Sequence, residues 1–120
     1  MFLSLGNDII EISRIKKAME NPKFITRVFT SLEIEQIEKK GNQFASYAGR
    51  FAAKEAISKS FGSGVRDFNM KDIEVLNDDL GKPIVTLKNN LEEKYKSKRI
   101  EVSISHCKEY AIATAIIMEE

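Results

Sequence analysis

A chain of 120 residues with a formal net charge of +1 and 31% charged side chains has room for one domain that buries roughly two-thirds of its unfolded surface. Its charge balance supports neither a nucleic-acid field nor an acidic tail, and its seven Phe do not alternate with Arg or Lys as base-stacking platforms would. The single cysteine, Cys107, excludes an internal disulfide and a thiolate metal cage, which fits a reducing cytoplasm and a buried bystander thiol.

In chain order, Phe2 to Ile10 is mostly apolar, too short for a stable helix and interrupted by Gly6, which predicts a buried first strand. No basic leader precedes it, and the apolar tail from Tyr110 to Met118 is half a membrane span, so the chain reads as soluble and unprocessed. Strand parity puts Asp8 on the face of Ser4 and Gly6, where the glycine leaves room for a ligand; Asp8 equally suits the N-cap of the segment that follows. A helix over Glu11 to Met19 is broken at Asn21-Pro22, and a second short helix runs through Phe24 and Val28. Between Arg14 and Arg27 stand five basic residues (Arg14, Lys16, Lys17, Lys23, Arg27) and one acid, Glu20. Such a run is commonly a solvated face; beside Met19 and Phe24 it is also a candidate docking surface for an acidic, partly apolar helix.

Thr30 or Ser31 followed by Glu33 and Glu35 predicts a helix start, with Thr30 and Glu33 at capping-box spacing, and the helix ends at Gly41-Asn42. The central helix follows from Gln43 to a glycine stop at Gly62, then a loop at Ser63-Gly64. Asp72 to Leu76 and Ile84 to Leu87 form a hairpin-like strand pair with Lys82 at its tip. A polar helix over Leu91 to Lys96 precedes two last strands, Ile100 to His106 and Tyr110 to Met118. In the first of these Val102, Ile104 and His106 share a face, which puts His106 at the end of a core-facing row. The order predicts an α+β fold in which an antiparallel sheet of about five short strands packs against one long central helix plus shorter helices, leaving an exposed sheet edge.

The central helix is apolar on most faces yet carries Arg50, Lys54, Glu55 and Lys59. At 100° per residue, Glu55 and Lys59 share one face with Ala48 and Ala52, whereas Arg50, Lys54, Ile57 and Phe61 lie opposite. An i, i+4 ion pair is the ordinary account of Glu55 and Lys59. A second carboxylate, Asp8, on a buried strand suggests another: two carboxylates with room for water and phosphate oxygens suit Mg²⁺. Lys59, Lys54, Arg50 and Lys82 would then supply countercharge to a phosphorylated substrate.

The blocks GNDIIEISRI, GRFAAKEAISKSFG, LGKP and SISH, in this order and spacing, resemble the holo-acyl-carrier-protein synthase family of small 4′-phosphopantetheinyl transferases over nearly the whole chain. The resemblance implies one domain over residues 1–120 and transfer of 4′-phosphopantetheine from coenzyme A to a serine of apo-acyl carrier protein, with release of adenosine 3′,5′-bisphosphate. It implies Asp8 and Glu55 as Mg²⁺ ligands and Lys59 as a cation near the reacting phosphate. Arg50, Lys82, Pro83 and His106 would line the coenzyme A pocket. Glu35 falls near a family acid sometimes considered to activate the serine through water, with His106 or a metal-bound water as rivals. Arg14, Lys17, Met19, Phe24 and Arg27 match the carrier-docking segment, and the family's homotrimers imply sites at subunit boundaries. Asn7 and Cys107 depart from the family pattern without removing a ligand. Transfer to carrier domains inside a larger synthase, or a non-catalytic coenzyme A or carrier-binding scaffold, are the alternatives.

Overall fold

The structure, a computed structural model, describes every residue except Asn42, Ser63 and Arg66. The helix end expected at Asn42 and the loop expected at Ser63 therefore lie outside the described residues. The elements run β1 (Phe2–Glu11), α1 (Ile12–Ala18), α2 (Pro22–Val28), α3 (Ser31–Glu38), α4 (Gln43–Ser60), β2 (Ile73–Asn77), β3 (Pro83–Leu87), α5 (Asn90–Tyr95), β4 (Lys98–His106) and β5 (Tyr110–Glu119). This is the α+β order expected, with α4 as the long central helix.

The strands form two sheets rather than one: an antiparallel β1-β5-β4 sheet and a separate β2-β3 hairpin. β1 is an edge strand buried on one face only. Ser4, Gly6, Asp8 and Ile10 turn toward α4, whereas Leu5 and Ile9 on the other face are 55% and 62% exposed. An alternating strand with apolar residues on both faces needs cover on both, and this chain supplies cover for one.

Local signals set the helix ends. Asn21 caps α2 by accepting from the Lys23 N–H at 3.0 Å, with Pro22 in the first turn. α3 carries the full capping box: Thr30 Oγ1 accepts from the Glu33 N–H at 3.2 Å and Glu33 Oε1 accepts from the Thr30 N–H at 2.8 Å. α4 stops before Gly62, whose φ of 60° is costly for any residue with a Cβ. α1 follows Glu11 without a side-chain cap, so Asp8 is not spent on capping.

The gap at Gly6 is filled by protein, not by ligand. A Cβ there would overlap the Ala56 carbonyl oxygen and stand 2.7 Å from the Ser60 nitrogen. Both are backbone atoms of α4 and cannot rotate aside. Ser4 Oγ donates to the Ser60 carbonyl at 2.6 Å beside this contact. Gly6→Ala should therefore lever α4 off β1 and cost about 1–3 kcal/mol, read as a lowered melting temperature; an unshifted melt would show that the contact is not rigid.

The main core lies between α4, the three-stranded sheet and the hairpin, built on Ala52, Ala53, Ala56, Ile57, Ile73 and Val75. Each fully buried Ile there contributes about 1.5–3 kcal/mol relative to exposure. A second cluster joins α1, α2 and α3 around Phe29 and Tyr47, whose rings lie 5.0 Å apart. Met19 and Phe24 pack against it, Phe24 with ring centroids 6.2 Å from Phe29 and 6.0 Å from Phe51. Cys107 is exposed, not buried, because it falls in the turn after β4. Among the described residues no helix is long and apolar enough to cross a membrane.

Candidate active site

The close contact at Gly6 brings two distant carboxylates together. Asp8 projects from β1 toward α4, and one α4 face carries Glu55 and Lys59. Lys59 Nζ lies 3.0 Å from Asp8 Oδ1 and donates to the Asn7 carbonyl, also at 3.0 Å. Glu55 is half-buried. Burial pushes its carboxyl above the usual range, the Asp8 charge pushes it further, and Lys59 only partly opposes them. Two hard oxygen donors that repel each other form a place where a cation is favoured. Among the described residues no third His, Cys, Asp or Glu completes a protein cage.

A cleft of about 440 Å³ opens on a different face of α4, between that helix, the β2-β3 turn and β4. Arg50, Lys82, Pro83 and His106 all line it, and no member of the Asp8, Glu55, Lys59 group does. His106 shares a face with Val102 and Ile104, but burial fades along the strand and the imidazole is exposed rather than core-facing. Lys82 is loosely held by Glu101 at 3.5 Å. Lys40, Ser46 and Asn77 complete the polar wall and were not singled out from the sequence. The basic residues closing α3 and the polar residues entering α4 were the available signal.

Lys54 was expected to face a phosphorylated substrate and does not. It is fully buried, paired with the equally buried Glu33 at 2.8 Å, and donates to the carbonyls of Val28, Met70 and Ile73. Burial lowers its pKa despite Glu33 beside it. The reason is the free edge of β2. Antiparallel pairing turns alternate backbone groups away from the partner strand, and here side chains of α3 and α4 meet them. Glu33 Oε2 accepts from the Val75 N–H at 2.7 Å, and Arg50 Nη1 donates to the Val75 carbonyl at 2.7 Å. Gln36 bonds both the N–H and the C=O of Asn77 at 2.8 Å, and Lys54 reaches the Ile73 carbonyl at 2.6 Å. Each group left unmet would cost about 1–3 kcal/mol.

Arg50 thus has two duties: it seals β2 and faces the cleft. The residue as a whole is 3% exposed, and burial pulls its pKa down against an opposing pull from Glu33. Glu35 stands on the outer side of α3 in an exposed pair with Lys39 at 3.6 Å and is not part of the cleft wall. Of the candidate docking residues, Arg14, Lys17 and Arg27 are exposed cations, whereas Met19 and Phe24 are partly buried.

A family model described as the 4′-phosphopantetheinyl transferase superfamily matches residues 4–115. A relative named holo-[acyl-carrier-protein] synthase from Clostridium tetani is 53% identical over 124 residues, covering 100% of this chain and 98% of the relative. One of the same name from Fusobacterium nucleatum is 50% identical over 122 residues, covering 98% and 100%. A crystal structure of a holo-(acyl-carrier-protein) synthase from Bacillus anthracis in complex with CoA (3′,5′-ADP) is similar with a TM-score of 0.85 at 39% identity, covering 100% of this chain and 99% of that one. With likeness of sequence and fold running nearly end to end, this chain belongs to the 4′-phosphopantetheinyl transferase superfamily.

Proposed function

We propose that this chain is a cytoplasmic, single-domain enzyme of fatty acid biosynthesis that moves 4′-phosphopantetheine from coenzyme A to a serine hydroxyl of apo-acyl carrier protein and releases adenosine 3′,5′-bisphosphate. The observation that carries this reading is the meeting of Asp8, Glu55 and Lys59 at the β1–α4 contact, in a chain of this superfamily. The donor set fits Mg²⁺: two carboxylates leave most of the coordination to water and phosphate oxygens, as that ion prefers. When bound by Asp8 and Glu55, Mg²⁺ supplies Lewis-acid polarisation and charge neutralisation at the pyrophosphate.

The chain's own groups do the rest. Arg50, Lys82 and His106 hold the nucleotide in the cleft, with Pro83 shaping its rim. Lys59, on a long and half-exposed stem, turns from Asp8 to the phosphate and stabilises charge on the departing bridge oxygen. Of the two side chains considered for taking the serine proton, His106 lines the cleft and Glu35 does not, which favours His106. Arg14, Lys17 and Arg27 steer the acidic carrier by long-range attraction.

The cleft and the carboxylate pair occupy different faces of α4, and the outer face of the three-stranded sheet exposes Leu5, Ile9 and Ile112. This supports a homotrimer in which one subunit's Asp8 and Glu55 complete its neighbour's cleft. Incubation with apo-carrier, coenzyme A and Mg²⁺ should add one phosphopantetheine mass to the carrier, more slowly as salt rises, from a species that sediments as a trimer. No mass shift beside an active control enzyme would sink the reading, and a fully active monomer would sink the shared site.

A further inference from the structure

We infer that Gln36, described above only as sealing the end of β2, is a positioning residue for the nucleotide cleft, because its one amide fixes both Arg50 and the base of the turn that carries Lys82 and Pro83. The inference rests on reading the cleft as the coenzyme A site. Gln36 Oε1 accepts from Arg50 Nη2 at 2.7 Å and from the Asn77 N–H at 2.8 Å, while Nε2 donates to the Asn77 carbonyl at 2.8 Å. One planar side chain on α3 thus meets the central helix and the hairpin at once.

Each end of that link leads to the cleft. Arg50 is pinned at Nη1 by the Val75 carbonyl and at Nη2 by Gln36, so the remaining N–H groups of its five-donor fork are held in one orientation. On the other side Asn77 adjoins Asp78, whose Oδ1 accepts from the N–H groups of Leu80 and Lys82 at 2.9 Å each. Asn77 also donates from Nδ2 to the Gly81 carbonyl at 3.2 Å. Hydrogen bonds therefore run from Arg50 through Gln36 and Asn77 to the Gly81 carbonyl, and Asp78, next in the chain after Asn77, bonds the Lys82 N–H. Asn77 Oδ1 is the one buried side-chain polar atom without a partner among the described residues.

A guanidinium recognises phosphate through direction as well as charge, and its value depends on the residue that fixes its plane. Gln36→Met preserves length and removes all three bonds. Gln36→Glu keeps the acceptors toward Arg50 and Asn77, loses the donor, and sets a carboxylate against the Arg50 charge. The test measures calorimetric binding of adenosine 3′,5′-bisphosphate, steady-state kinetics with coenzyme A and apo-carrier, and melting, all on the full chain.

For Gln36→Met the bisphosphate dissociation constant and the KM for coenzyme A should rise about tenfold, with kcat at saturating coenzyme A and the KM for carrier unchanged. Gln36→Glu should fold like the parent, bind the bisphosphate more weakly at neutral pH, and recover affinity as pH falls through the introduced carboxylate's range. If Gln36→Met does not fold, Gln36→Glu alone decides. Wild-type affinity in a folded variant, or a joint change in kcat and both KM values, overturns the role of Gln36 while leaving the coenzyme A reading intact. A wild-type chain that does not bind the bisphosphate overturns that reading and the positioning role with it.

Discussion

Glu55→Gln should lower turnover by about 10²- to 10³-fold and leave the chain at least as stable as the parent at neutral pH. Glu55 is held where its charge is unwelcome: burial raises its pKa first, Asp8 second, and Lys59 offsets only part. Below the ordinary glutamate range the carboxyl is protonated folded and unfolded, and its ionisation costs the fold nothing. As pH climbs from that range to the raised folded value, the unfolded chain loses its proton first and stability declines. Above the folded value the loss is complete, and the neutral glutamine escapes it. The melting temperature of the variant should therefore match or exceed that of the parent at pH 7, with the difference closing in acid. Added Mg²⁺ should raise the parent's melting temperature more than the variant's. Preserved turnover would remove Glu55 from the chemistry, and a melt several degrees lower would make it a structural residue.

Lys54→Met should destabilise the fold by about 3–5 kcal/mol, as loss of one partner from a buried ion pair typically does, with a melting temperature lower by more than about 10 °C. The substitution leaves the Glu33 carboxylate without its cation at zero exposure and removes the donor to three carbonyls. Replacing Glu33 by Gln in the same chain should restore part of the loss, because the stranded charge disappears, and only part, because the amide keeps an acceptor for just one of the Thr30 and Val75 N–H groups. Differential scanning calorimetry of the single and double variants separates the two costs. A single variant melting with the parent would show that water reaches this pair.

Much of this was legible in residues because the signals were local. The Thr30–Glu33 box, the Pro22 start and the Gly62 stop depend on neighbours a few positions away. Strand parity was enough to turn Asp8 toward the helix, and helical spacing enough to separate Glu55 and Lys59 from Arg50 and Lys54. The failures have a common physical source in partners far along the chain. Lys54 was read as countercharge for a substrate, and nothing near it in sequence shows that Glu33 and three carbonyls take that charge inside the fold instead. Gly6 was read as space for a ligand, though a glycine facing an alanine-rich helix also marks close backbone approach, and that is what occurs. The division into two sheets was hidden for the same reason as Gln36: it depends on side chains taking the place of a neighbouring strand. Cys107 was placed inside by residue type, and a turn of three residues placed it outside.

That substitution of side chains for a strand also limits how copies can meet. An open strand edge ordinarily templates another backbone, and β-augmentation is a common way to recruit a peptide or a second subunit. Along β2 the positions are taken, and an incoming strand would have to displace Glu33, Gln36, Arg50 and Lys54, two of which form a fully buried ion pair. The hairpin is thereby closed to templated growth on that side. The three-stranded sheet, where Leu5, Ile9 and Ile112 are exposed, offers the proposed trimer an apolar surface on which no backbone bond need be broken. Charges that look costly inside the core thus decide which face of the molecule is available to its own kind.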